Sequence, residues 1–320
     1  MPLDHYVSQV HLKKFYSASL GGGMMHAMKK SDLKVFPCRS QDVCRIENGS
    51  TTPFLENERI VEEFLREYVE PKYNAAIGNL ISDEIDVDCI LAISGFTAYI
   101  LTCSPTVLRT NVAMPRTMVE HTAAILDRRG ALQRAPAALG NKTLTQLVQE
   151  GVVKISIDPK FVQANGVGQI VEIANIFGNS HWEILINDCL DSPFFTSDFP
   201  IGIEQSADPR VVNRVVPLAP YIAVRIHPDI GFRRGDKDFS FSRFSRSHRK
   251  ISKQEVLSIN RLLVRCAEDI VFYSAPFPWV TNFIAKNRNY RVNTIAYKMP
   301  APDGSFHLFS QKLTPHAWSS

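Results

Sequence analysis

The sequence predicts an α+β fold in which a helical middle region packs on a mainly antiparallel sheet. Apolar residues recur at helical spacing from about residue 56 to residue 178. Strand-like alternation of apolar and polar residues then dominates residues 181–226 and 290–313, and the N-terminal segment adds short strand-like runs. This change in character from helix to strand is typical of the α+β class.

The length and composition set the size of the core. The chain has 320 residues, 45% of them hydrophobic, so it can bury a substantial core. We expect a single domain over residues 1–320, or two packed lobes, one helical (about 56–178) and one mainly of strands (1–55 with 181–320). The formal net charge of +4 is small for this length, so nucleic-acid binding would need a local basic patch.

The cysteines and the N-terminal residues indicate which cellular compartment to expect. Six cysteines are scattered without a CxxC pair, which favours free thiols in a reducing cytoplasm over disulfides or a cysteine zinc site. The first residues lack the basic and apolar regions of a signal peptide, and no apolar run reaches membrane-spanning length. We therefore expect a cytoplasmic protein with no membrane segment.

His5 is the first candidate functional residue. Because an imidazole titrates near neutral pH, His5 is either a base or ligand in a site or a structural histidine near the start of the chain. The GGGMM run that begins at Gly21 lacks the lysine and the following helix of a phosphate loop, so it predicts a turn.

A long helix is predicted on both sides of Pro71, whose missing backbone donor should kink or restart it. Glu63, Glu67 and Glu70 share one side of this helix. They form either a solvated acidic face or a ledge of carboxylates for Mg²⁺ or Mn²⁺, which prefer oxygen ligands.

A second helix is predicted from Asp83 to Thr102, with Ser82 and Asp83 as N-cap candidates. It is apolar on nearly every side toward its end, which places it at the centre of a helical bundle. Further helical segments are predicted near residues 116–126, 144–148 and 159–177. Glycines at 166 and 168 interrupt the last segment and indicate a break or a close helix contact.

The stretch from His181 to Glu204 begins as a predicted apolar strand and continues into a turn with polar side chains. Trp182 begins a period-two pattern and should anchor the core. Asp198 follows two hydroxyl residues and lies at a turn before Pro200. It either accepts hydrogen bonds from its own turn or is a rigidly held catalytic or metal-binding carboxylate.

Residues 232–250 form the most basic segment, with seven Arg or Lys against two Asp and with phenylalanines in between. Such a segment can follow a phosphate backbone and stack bases, although a long surface loop fixed by its phenylalanines explains it as well. The residues that nucleic-acid binding would use are Arg233, Arg234, Arg243, Arg246, Arg249 and Lys250. Ser252 and Glu255 then form a capping box that predicts a helix.

Several of these motifs together resemble a widespread, mostly bacterial family known as a domain of unknown function. Its members open with HYVPxxYLxxF, here His5, Tyr6, Val7, Leu12 and Phe15, and carry an FxTSDNP turn, here Phe194 to Pro200. The family's paired glutamates match Glu63 and Glu70, and a later asparagine matches Asn260. The resemblance implies that His5, Glu70 and Asp198 occupy the family's polar signature positions.

The sequence departs from the family pattern at three places. Ser8 replaces a proline and Phe199 replaces an asparagine, while Cys103 begins a Cys-Ser-Pro run where the family has Arg-Thr-Pro. If the family arginine orients an anionic group, Arg109 is the nearest substitute.

The pattern as a whole predicts a metal-dependent hydrolase that acts on nucleic-acid phosphodiesters, in defence or as a toxin. His5, Glu70 and Asp198 would be catalytic, Glu63, Glu70 and Asp198 would bind Mg²⁺ or Mn²⁺, and residues 232–250 would grip the substrate. The alternative is a non-catalytic module that binds a ligand or a protein and whose polar residues form a buried structural network.

Overall fold

A computed structural model describes residues 3–206, 208, 211–229, 231, 232, 237–301 and 304–318. It has the predicted α+β architecture, in which helices of the middle region pack against mainly antiparallel sheets. A short helix, α1 (Gln9–Leu12), follows the first strand. The helices of the middle region are α2 (Ile60–Phe64), α3 (Glu70–Ser82), α4 (Val87–Cys103), α5 (Pro105–Asn111), α6 (Ala113–Arg128), α7 (Leu144–Gln149), α8 (Pro159–Val167) and α9 (Ile170–Gly178).

The helix restart predicted at Pro71 is confirmed. A π-helical turn, Leu65–Val69, separates α2 from α3, and Pro71 lies in the first turn of α3. Because proline cannot donate a backbone hydrogen bond, this is where the helix most easily changes its register.

The predicted start of α4 was wrong by one turn. Asp83 adopts a left-handed conformation (φ 64°) at the end of α3, so it closes that helix instead of opening the next. Asp86 caps α4, because its Oδ1 accepts a hydrogen bond from the Cys89 backbone N–H at 2.7 Å. As predicted, α4 is buried on nearly every side. The close contact predicted from the glycines is also present, since a Cβ on Gly166 would lie 2.8 Å from the Thr102 carbonyl oxygen.

The strands form two larger sheets, one N-terminal pair and a C-terminal hairpin. The pair joins β1 (Leu3–His5) to β4 (Arg45–Glu47). The four-stranded sheet has the order β3 (Val35–Cys38), β2 (Met25–Lys29), β11 (Ile270–Tyr273), β6 (Thr196–Ser197). The hairpin consists of β12 (Tyr290–Ala301) and β13 (Gly304–Pro315).

The five-stranded sheet contains a strand that the sequence analysis did not predict. Its order is β10 (Ser245–Lys250), β5 (His181–Ile186), β9 (Ile222–His227), β8 (Val212–Ala219), β7 (Gly202–Gln205). The interpretation of residues 232–250 as one long loop was wrong for β10, which pairs in parallel with β5 as an edge strand. Its six residues are all exposed, so no burial pattern marks it.

The sheet is covered on both faces. Trp182 and Ile184 point to the side of α4 and α9 and join the main core, where the Trp182 indole donates a 2.7 Å hydrogen bond to the Phe177 carbonyl. The predicted role of Trp182 as a core anchor is confirmed. The opposite face packs on α10 (Lys253–Cys266), which begins at the predicted capping box, and α11 (Val280–Asn287) follows.

The described residues contain no single helix with the length and apolarity to cross a membrane. The stretches Ile60–Ser82 and Val87–Cys103 meet those criteria only when they are taken together across a bend of 116°.

Candidate functional site

His5 and Glu70 line the same cleft. The cleft has a volume of about 510 Å³ and lies between the end of β1 and the start of α3. His5 is fixed by pairing with Arg45 across β1 and β4, and its carbonyl accepts a 2.8 Å hydrogen bond from the Tyr99 hydroxyl. Glu70 accepts a short hydrogen bond from the Ser8 hydroxyl. Two of the three predicted catalytic residues are therefore brought together.

The imidazole of His5 has a lowered pKa. Burial lowers its pKa below the ordinary value, although the carbonyl groups of Gln41 and Ser40 and the carboxylate of Glu70 act in the opposite direction. Its Nε2 is buried and has no hydrogen-bond partner among the residues that the structure describes. An imidazole nitrogen without a partner has hydrogen-bonding capacity that the described residues do not use.

Asp198 does not reach this cleft. Its carboxylate is buried and accepts three backbone hydrogen bonds of 2.8 Å, from Glu268 at Oδ1 and from Asp269 and Ile270 at Oδ2. Burial raises the pKa of Asp198, whereas the N–H groups of Ile270 and Asp269 favour its charged form. Asp198 thus fastens the start of β11 to β6, a contact between residues about seventy positions apart, rather than capping its own turn.

The predicted metal ligands are likewise dispersed. Glu63 is exposed and accepts a 2.7 Å hydrogen bond from the Asn57 amide, Glu70 is bound to Ser8, and Asp198 holds backbone groups. Within the described part of the chain, no three His, Cys, Asp or Glu side chains are placed so that they could hold a metal ion together.

Arg109 contacts a protein carboxylate instead of the cleft. Its Nε and Nη2 donate to the two oxygens of Glu268 at 2.8 and 2.9 Å, and Nη1 donates to the Asn293 amide oxygen at 2.8 Å. Arg291 donates to the same carboxylate at 2.6 Å. Burial opposes the charge of Glu268, but the two arginines hold its pKa below the ordinary value.

Lys30 belongs with these buried charged residues, and the sequence analysis did not identify it. Its side chain is fully buried, and Nζ donates to the carbonyls of Ala267 at 2.5 Å and Tyr290 at 2.9 Å. Burial lowers the pKa of Lys30 to about 8. A lysine in a Lys-Lys-Ser turn has the sequence signature of a solvated residue, so no local signal marks its burial. Lys30, Asp198, Glu268, Arg109 and Arg291 are called the polar network below.

Comparison with known families gives a match over residues 4–276, to the family described as "Protein of unknown function (DUF4238)". The chain belongs to this family. Neither the comparison with curated proteins nor the one with solved structures gave a match.

In the DUF4238 chain, four of the basic residues in the described part of segment 232–250 are paired with acids. Arg243 lies 3.4 Å from Asp229, and Arg246 forms a short ion pair with Asp83. Arg249 and Lys250 lie 2.5 and 2.8 Å from Glu255 and Asp188. Arg233 and Arg234 lie outside the described residues. The four cations therefore have carboxylate neighbours that a phosphate backbone would have to displace.

An apolar groove, formed mostly by residues of the matched DUF4238 region, was not predicted. It has a volume of about 720 Å³ and is bounded mainly by α6, α8 and α9, with residues from the ends of α4 and α5 and one side chain each from β8 and β13. Its wall leaves large apolar side chains exposed: Met114 by 43%, Met118 by 61%, Val119 by 45% and Phe161 by 44%. The contributions from β8 and β13 are Arg214 and Gln311. The methionines of α6 were the sequence signal that could have indicated this groove, because methionine is common at adaptable binding surfaces.

Proposed function

We propose that this protein is a ligand-binding module whose ligand occupies the apolar groove, and that its polar network is structural. The exposure of Met118 and its neighbours in a concave groove carries the proposal. Leaving apolar surface in water costs roughly 25 cal/mol per Å², so a folded chain gains by covering such a wall. The volume of the groove falls in the range of about 300–1,000 Å³ that small-molecule sites occupy.

The saturation of the polar network supports the second half of the proposal. Three backbone donors already use the oxygens of Asp198, and Glu268 and Asn293 already use the guanidinium of Arg109. A group whose hydrogen bonds are satisfied within the protein has little left for a ligand, whereas it fixes the packing of distant segments. In this proposal, the network holds β11, α5 and β12 in place.

The test uses N-phenyl-1-naphthylamine, a neutral probe whose fluorescence rises in apolar sites. The wild-type protein should enhance its fluorescence, and Met118→Glu should weaken its binding about tenfold or more, because the substitution brings a charge into an apolar site. Leu190→Glu is the matched control, since Leu190 is 92% exposed and does not line the groove. Equal enhancement in both variants, or none in the folded wild type, would refute the proposal.

A hydrolase at the His5–Glu70 cleft is the second candidate. The imidazole of His5 favours it, because its Nε2 has no hydrogen-bond partner among the described residues and lies in a residue that shares a cleft with Glu70. A general base needs an unpaired nitrogen, and an acid nearby can orient it. In this proposal, Mg²⁺ or Mn²⁺ would assist, and the basic segment would hold a nucleic acid.

Fluorescein-labelled single-stranded DNA and RNA, each with Mg²⁺ or Mn²⁺, test this second candidate. Cleavage by the wild type should be lost in His5→Asn and in Glu70→Gln. The triple change of Arg243, Arg246 and Arg249 to Glu should weaken oligonucleotide binding and flatten its dependence on salt. Cleavage that survives in His5→Asn would exclude His5 as the base, and an inactive wild type would count against the whole candidate.

A further inference from the structure

Arg214 is the one charged residue among the described side chains that line the apolar groove. It lies in β8, opposite Ile203 of β7 and Ile226 of β9. These residues are on the face of the sheet that packs against α4 and α9. The residue keeps part of its surface exposed, but its Nε and Nη1 atoms are buried. The groove therefore has apolar walls and a cation at one point.

The guanidinium of Arg214 is only partly satisfied. Nη2 donates to the Gln311 amide oxygen at 3.2 Å, whereas Nε and Nη1 have no hydrogen-bond partner among the described residues. A guanidinium has five N–H donors, and an unpaired buried charge costs several kcal/mol in ordinary proteins. Burial lowers the pKa of Arg214 to about 10, so the group remains charged at neutral pH.

No carboxylate of the described part of the groove wall compensates this charge. The polar residues that share the wall with Arg214 are neutral: Thr102, Asn111, Asn165, Gln169 and Gln311. Arg109 and Arg291 are paired with Glu268, and Arg225 is paired with Glu183. Arg265 also has a buried Nε without a partner among the described residues, but its guanidinium lies over the Tyr290 ring and does not line the groove.

We propose that the groove binds an anionic amphiphile, a molecule with an apolar chain and a terminal carboxylate. This inference rests on the proposed ligand-binding function and names the ligand class of that site. The carboxylate pairs with the incompletely satisfied guanidinium of Arg214, which lines the groove, and the chain lies against Met114, Met118 and Phe161. Charge-assisted hydrogen bonds are the strong ones, so the head group sets the orientation, whereas the apolar wall supplies most of the buried area.

Decanoate, decanol and decyltrimethylammonium test the inference, because they share a chain and differ in head-group charge. Each is titrated against the complex of the wild-type protein with N-phenyl-1-naphthylamine, below the concentration at which it forms micelles. Decanoate should displace the probe at about tenfold lower concentration than decanol, and decyltrimethylammonium should displace it least. Equal displacement by all three would overturn the inference but leave the groove as a site, and displacement by none would overturn both.

Variants then assign the preference to Arg214. Arg214→Gln should weaken decanoate about tenfold and leave decanol within about twofold, whereas Arg214→Lys should retain part of the preference. Arg116→Gln is the matched control, because Arg116 is exposed on α6 but does not line the groove. A folded Arg214→Gln that keeps the full preference would overturn the role of Arg214. If that variant does not fold, the ranking of the three probes on the wild type still decides the ligand class.

Discussion

The polar network and the apolar groove bury charged side chains in opposite ways. In the network, Asp198 meets three backbone donors and Glu268 meets two arginines, so its charges are matched inside the protein. In the groove, Arg214 has a single side-chain hydrogen bond to the residues that the structure describes, with Gln311 as the acceptor. Buried charge alone is thus a poor guide to function in this fold. An incomplete set of hydrogen bonds is the more informative observation, because it identifies a group that a ligand can still satisfy.

The largest effect should come from Asp198→Asn, which tests whether the network is structural. An amide cannot accept all three backbone hydrogen bonds, and its NH₂ group would face a backbone donor. Stability measured by urea unfolding should fall by about 3 kcal/mol or more. Asp88→Asn is the control, since Asp88 is 60% exposed and forms a surface ion pair with Lys72, and it should change stability by about 0.5 kcal/mol or less. An unchanged midpoint for Asp198→Asn would remove the structural interpretation.

The second-largest effect concerns pH and the buried His11. Like the groups of the polar network, this side chain has its hydrogen bonds satisfied inside the protein. This ring is fully buried between the Tyr73 and Thr196 hydroxyls, each at 2.7 Å, and burial lowers its pKa to about 3. The unfolded chain therefore takes up a proton below about pH 6.5 that the folded chain does not. Stability should rise with pH between about 3 and 6.5, by up to about 1.4 kcal/mol per pH unit from this group.

Urea unfolding of the wild type and of His11→Gln at several pH values measures the contribution of His11. The variant should be less stable at neutral pH, and its stability should depend less steeply on pH over the same window. Parallel pH profiles for the two proteins would show that His11 is not the group responsible.

The smallest effect should have the opposite sign and come from the groove. Arg214→Met replaces an incompletely paired charge by an apolar side chain of similar length, so stability should stay the same or rise by about 1 kcal/mol. Arg109→Met is the matched change in the network and should lower stability, because Glu268 loses a charged partner. If both substitutions destabilise the protein equally, the distinction between the two regions does not hold.

The sequence predicted those features that local periodicity or capping controls. The central position of α4, the restart at Pro71, the Trp182 anchor and the capping box of α10 all depend on residues within one or two turns of each other. His5 and Glu70, which line one cleft, were singled out together with Asp198 by a family resemblance, not by spacing, and Asp198 lies elsewhere.

The remaining features depend on contacts between distant parts of the chain. The partners of Asp198 lie about seventy residues away, and the groove combines helices with one side chain from each of two strands. Arg214 did leave a signal, a lone cation at the start of an apolar strand, but its missing partners become visible only once the fold is known. Strand β10 left none, since an all-exposed edge strand has no alternation.

The position of β10 has a consequence for solubility. An edge strand presents unpaired backbone groups that can template pairing with another molecule, and lysine or arginine side chains on such a strand disfavour that pairing. Arg246, Arg249 and Lys250 occupy this edge of the five-stranded sheet, so their charges oppose stacking of one copy on another. Neutralising all three should therefore leave the protein folded and raise its light scattering over time, whatever the segment binds.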